Sequence, residues 1–92
     1  MNQFHITGKI TFINPKETVE GNGISITHYP DTVNDSYFKI GLLVPKDLFL
    51  RSDLKMYDFV DITGHWVSIS KSKVDKEKLV HVVDEFLEVV HE

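Results

Sequence analysis

Tyr57-Asp58-Phe59-Val60-Asp61-Ile62-Thr63-Gly64-His65-Trp66-Val67-Ser68-Ile69-Ser70 is the stretch on which the fold turns. Val60 and Ile62 alternate with Asp61 and Thr63, the pattern of a half-buried strand, because successive side chains of a strand project to opposite faces. Gly64 interrupts the run. A glycine inside a strand marks a bulge or a sharp bend, and the run resumes beyond it as Trp66, Val67 and Ile69. One long strand therefore serves two parts of a curved sheet, as small closed barrels require. The same device recurs at Gly8, within Phe4-His5-Ile6-Thr7-Gly8-Lys9-Ile10-Thr11-Phe12.

Outward from that stretch, the remaining elements fall into order. The first strand covers about Gln3 to Asn14, with Phe4, Ile6, Ile10 and Phe12 on one face and His5, Thr7, Lys9 and Thr11 on the other. Asn14-Pro15-Lys16-Glu17 is a turn, and Gly21-Asn22-Gly23 a tight reversal. A second strand runs from Ile24 to Tyr29, Ile24 and Ile26 inward, and Pro30 to Ser36 is a polar loop. Tyr37 to Val44 forms a third strand, with Phe38, Ile40, Leu42 and Val44 inward. Pro45 to Met56 opens on a proline suited to a first helical turn and predicts a short helix plugging one end of the sheet. Ser70 to Lys78 is a charged loop. Leu79 to Val90 fits a helical stripe, but its β-branched valines favour a strand, with a bulge near Asp84.

A chain of 92 residues makes one domain with one core. It has no cysteine, which excludes a disulfide framework and a thiolate metal site. No apolar run approaches a membrane span and the opening residues lack a signal-peptide pattern, so the expectation is a soluble, cytoplasmic protein. Asp84, Glu85, Glu88 and Glu92 account for the whole net charge of −4, leaving residues 1–83 formally neutral. Local patches, more than the total, set the field that a ligand meets.

The order strand, strand, strand, helix, strand, strand resembles the OB-fold, a five-stranded Greek-key barrel and so an all-β fold with small α content. Asn2-Gln3-Phe4-His5-Ile6-Thr7-Gly8-Lys9-Ile10 is similar to the first strand of the bacterial single-stranded DNA-binding protein family and its primosomal protein B relatives. Tyr57 to Gly64 is similar to that family's fourth strand, and Val80-His81-Val82-Val83-Asp84-Glu85-Phe86 to its closing strand. The resemblance implies a non-catalytic protein that binds single-stranded DNA, more than RNA, in replication, recombination or mobile-element maintenance. The chain departs from the family in lacking a Gly/Pro-rich tail with an acidic tip, and its central strands are less aromatic and less basic.

Binding a single strand requires cationic groups along the phosphates and exposed aromatic faces for the bases. The face flanked by the first and fourth inter-strand loops offers Tyr29, Tyr37 and Lys39, with Lys9 beside them, and Lys71 and Lys73 in the charged loop, near Lys76 and Lys78. Tyrosines at strand ends also pack structurally, and loop lysines also serve solubility alone. Trp66 lies past the Gly64 bend, where the register can turn it either way; the core is the preferred reading. Phe4, Phe12, Phe38 and Phe59 read as core or near-core, and Asp58 and Asp61 as a solvated face. His5, His28, His65, His81 and His91 lack the spacing of a zinc-binding helix, and there is no Gly-rich phosphate loop or nucleophile elbow, so neither cofactor nor metal nor catalysis is expected. The alternative is a protein-interaction module on the same barrel, using Leu43, Ile13 and the Phe86–Val90 edge. Either reading predicts a symmetric dimer or tetramer.

Overall fold

The Gly8 bend lets one strand serve two neighbours. In the computed structural model, which describes residues 2–16, 18, 20–28, 37–69 and 78–91, β1 (Gln3–Ile13) pairs antiparallel with β4 (Phe59–Ile69) from Gln3 to Lys9. From Lys9 to Ile13 it pairs instead with β2 (Asn22–His28). At the change of partner the Thr27 carbonyl oxygen lies 2.7 Å from where a Cβ on Gly8 would sit, so any side chain there would push β2 away. Gly64 faces a tighter constraint, with the Phe4 ring and the Val82 carbonyl occupying the space a methyl group would need. Both glycines are required by close approach.

β2 pairs antiparallel with β3 (Phe38–Val44), and β4 with β5 (Lys78–Val90). The last element is thus a strand. Its register against β4 passes over Asp84 and again over Leu87, which places one bulge at the expected position and a second beyond it. A parallel contact of β3 with β5, Leu43 opposite Val82, closes the barrel in the order β1-β2-β3-β5-β4.

The helix α1 (Lys46–Ser52) follows Pro45, whose carbonyl accepts the Phe49 N–H at 2.8 Å. It ends earlier than the sequence suggests. Ser52 Oγ donates back to the Leu48 carbonyl at 2.5 Å, and Asp53 takes a left-handed φ of 49°. Leu48 joins Ile10, Ile24, Ile26, Leu42, Val44, Val60, Ile62 and Val83 in the core, with Phe49, Leu54, Phe86 and Val89 packed against it. The helix therefore seals the barrel end where β3 finishes and β4 begins.

Two readings of the sequence are corrected here. The tight reversal before β2 is made by Thr18 to Gly21, not by Gly21-Asn22-Gly23, whose last two residues already belong to the strand. Asp58 is no part of a solvated face. It is 1% exposed, and its Oδ2 accepts the Lys55 N–H at 2.9 Å and a bond from His91 Nδ1 at 2.8 Å. These bonds fix the turn whose Tyr57 N–H and Asp58 carbonyl both bond to Ile10, locking the start of β4 onto β1. Replacing Asp58 by Ala leaves the Lys55 N–H without its partner and removes a carboxylate acceptor, so it should lower unfolding stability by about 1.5–3 kcal/mol. His91→Ala, which leaves the Lys55 bond intact, should cost less. Urea denaturation of both variants checks the order.

Candidate nucleic-acid interface

Alternation along β1 breaks once, at Thr11. Ile10 pairs with Ile26 and Phe12 with Ser25, so Thr11 is an extra residue that shifts the strand's phase. Phe12, which alternation alone assigns to the core, therefore lies on the outer face and is 51% exposed. Cross-strand partners share a face, so the register arranges the outer surface of β1, β2 and β3 in rows. Lys9, Thr27 and Lys39 form the first, Phe12, Ser25 and Gly41 the second, and Gly23 and Leu43 the third, beside Asn14. Two lysines thus stand about 10 Å apart, two strand spacings, on either side of Thr27. Thr27 is buried and its hydroxyl lies 3.3 Å from that of Thr11.

The second and third rows form a groove. Gly23, Ser25 and Gly41 give it a low floor, and Phe12, Leu43 and Leu79 are its walls. Among the described residues no carboxylate lines it. Four acids lie instead on β4 and β5: Asp61 and Glu88, which oppose one another, Glu85, which opposes Thr63, and Asp84. Two of these acids are engaged by histidines: His5 Nε2 lies 2.5 Å from Asp61 Oδ1, and His65 Nδ1 lies 2.8 Å from Asp84 Oδ1.

Lys9 and Lys39 are exposed, and the register brings them into one row. Tyr37, 57% exposed, immediately precedes β3 at the end of this face. Tyr29, Lys71 and Lys73 lie outside the described residues, as do Lys76, the 30–36 loop and most of the 70–78 loop. Trp66 is neither core nor part of this face. It sits half-buried at the barrel end opposite α1, its ring centroid 6.2 Å from Phe4 and 5.9 Å from His81. Asn2 holds it there, donating from Nδ2 to the Trp66 carbonyl at 3.0 Å and accepting the Trp66 N–H at 3.2 Å.

Phe38 and Phe59 are also corrected: they are 45% and 44% exposed. Phe38 keeps the inward phase of its strand but lies at the strand start, beyond the filled part of the barrel, whereas Phe59, next to buried Val60 and opposite Lys9, points outward. Phe38 packs against His28 at 5.2 Å between ring centroids, and His28 Nδ1 donates to the Thr7 carbonyl at 2.5 Å.

No family model matches the sequence, and no curated protein does. Among solved structures, the barrel is similar to the mitochondrial single-stranded DNA-binding protein of S. cerevisiae. The TM-score is 0.62, the identity 16%, and the match covers 96% of each chain. The chain is an OB-fold. At that identity the likeness concerns the fold, and it extends over nearly the whole chain. No helix among the described residues is long and apolar enough to cross a membrane.

The Thr11 bulge makes a direct prediction about the OB core. Phe12→Ala should change stability by no more than about 0.5 kcal/mol, as at other exposed sites. Ile10→Ala, two residues away, should cost about 2–5 kcal/mol. Thermal unfolding of the pair checks the phase of the strand.

Proposed function

We propose that this protein binds single-stranded DNA, without catalysis, on the outer face of β1, β2 and β3. The observation that carries this reading is the juxtaposition of the Lys9–Thr27–Lys39 row with the Phe12–Ser25–Gly41 row. A row of cations suits phosphates; the adjoining exposed aromatic over a floor of small residues suits bases. Tyr37 extends the aromatic side, and Tyr29, Lys71 and Lys73 are proposed to add to both. The similar yeast protein, by its name a single-stranded DNA-binding protein, supports the same ligand. A part in replication, recombination or mobile-element maintenance belongs to this proposal, as does cytoplasmic location.

Self-association is proposed as well, and a specific surface favours it. Phe59 and Val90 oppose one another across β4 and β5, and with Leu87 they expose an apolar area that continues the Lys9 row onto β4 and β5. A symmetric dimer or tetramer that buries it would border the DNA face at Lys9.

Titration of a labelled oligo-dT, followed by anisotropy at several salt concentrations, tests the ligand. Binding should weaken with salt, each lysine–phosphate contact contributing about −0.7 to the slope of log K against log salt. Lys39→Ala should therefore flatten the slope by about 0.7, and Phe12→Ala should weaken binding by about 1–3 kcal/mol. Absence of binding at low salt would overturn the proposal, and a slope unchanged in the Lys39 variant would remove that residue from the site.

A further inference from the structure

The closure of the barrel leaves a second hollow beside the groove. β3 and β5 touch through one described pair, Leu43 and Val82. On the N-terminal side of that pair in each strand, residues 39–41 of β3 and His81 of β5 border a hollow at the end opposite α1. The space there is about 340 Å³, lined by Phe4, Ile6, Ile40, Trp66 and His81, with Lys39 and His5 at its edge. That volume is at the low end of small-molecule sites, about 300–1,000 Å³, and suits one planar ring system rather than two.

The lining has the chemistry of a site for a flat heteroaromatic group. The rings of Phe4, Trp66 and His81 are mutually tilted, at interplanar angles of 39°, 77° and 71°. Such tilted and edge-on contacts hold three rings around a space, where stacking would have closed it. The hollow is also continuous with the groove, since Gly41 and His81 line both. Lys39 belongs at once to the hollow's edge and to the lysine row.

Gly41 is the informative residue at the junction. A glycine in mid-strand weakens the strand, and the barrel gives no reason for it: a Cβ at Gly41 would meet no atom within 4 Å. Gly8 and Gly64 are imposed by neighbouring backbone or side chains, whereas Gly41 lies open. A strand glycine without an internal cause points to close approach from outside.

We propose that the hollow takes one nucleobase, unstacked from its neighbours, from a strand lying in the groove, and that the strand crosses into it over Gly41. This rests on the single-strand reading above, and also identifies a mononucleotide as a ligand in its own right. Trp66, the chain's one tryptophan, reports occupancy directly.

The test compares the full chain with Gly41→Val, a substitution that open space and β-branching both tolerate. Each is titrated with thymidine 5′-monophosphate at millimolar concentration, read by Trp66 fluorescence. Each is also titrated with labelled oligo-dT, read by anisotropy and by Trp66 fluorescence together. In the unsubstituted chain both ligands should quench Trp66. In Gly41→Val, with an undiminished melting temperature, the oligonucleotide quench should be lost and oligo-dT binding weakened. An anisotropy increase without Trp66 quenching in the unsubstituted chain would overturn the pocket and leave the single-strand reading standing. Equal oligonucleotide quenching in both chains would overturn the crossing at Gly41. Mononucleotide quenching without oligo-dT binding would overturn the single-strand reading and the crossing but keep the nucleobase site, and no response to either ligand would overturn both. Should Gly41→Val not fold, the two titrations of the unsubstituted chain still decide the pocket.

Discussion

Strand β1 hydrogen-bonds to β4 through its first half and to β2 through its second, and the rest of the barrel follows from where it changes partner. The exchange happens at Lys9, immediately after the glycine that lets the Thr27 carbonyl come close. A straight strand would have belonged to one sheet, leaving Ile10, Ile26 and Ile62 without a common interior. Bending there carries these side chains into one enclosed core, where each contributes about 1.5–3 kcal/mol relative to exposure. The bonds between Ile10 and the Tyr57–Asp58 turn hold the bend from outside, and buried Asp58 holds the turn.

The same bend has a consequence for the surface. A strand that coils this tightly absorbs an additional residue at Thr11, and a one-residue change of register moves every following side chain to the other face. Phe12 is thereby expelled from the interior to the row shared with Ser25 and Gly41, and Ile13 takes the opposite phase beside Ile24. The wall of the candidate DNA groove is thus a by-product of closing the barrel. On the far side of the groove, the brevity of the β3–β5 contact has the complementary effect, opening the space around Trp66.

Element order, the helix between the third and fourth strands, the two bends and the bulge at Asp84 were legible in the sequence because each has a local cause. Alternation, a proline, a glycine inside a strand and a run of valines act over a few residues. Phe12 was not legible, since a bulge at a threonine leaves no mark in the pattern of apolar residues; Thr11 simply continues the alternation on paper. Phe38 and Phe59 failed for different reasons. Phe38 had the right phase, but alternation says which way a side chain points and not whether the barrel still has an interior at that height; Phe59, beside inward Val60 and opposite outward Lys9, was assigned to the core against its own alternation. Asp58 belongs with these: its burial depends on His91, at the other end of the chain and thirty-three residues away. For the candidate site, the pairing of Lys9 with Lys39 was readable as two outward positions, but that they share one row required the register across three strands.

Net charge is the property that argues most simply against a nucleic-acid ligand, and the register weakens that argument. The excess acid is concentrated on β5, and Asp61, Glu85 and Glu88 occupy the face of β4 and β5, not the lysine row on β1 to β3. His5 and His65 stand against Asp61 and Asp84 and moderate part of that face. At physiological ionic strength charges interact over about 8 Å, less than the span of this barrel, so Glu85 and Glu88 act weakly on the groove, whereas Asp61, opposite Thr7, is a diagonal neighbour of Lys9. Among the described residues the charges are thus partly segregated, Lys9 and Lys39 on the β1–β3 side and Glu85 and Glu88 on β4 and β5. On the proposed single-strand reading, such a distribution would turn a polyanion toward the β2–β3 side although the chain carries a net charge of −4.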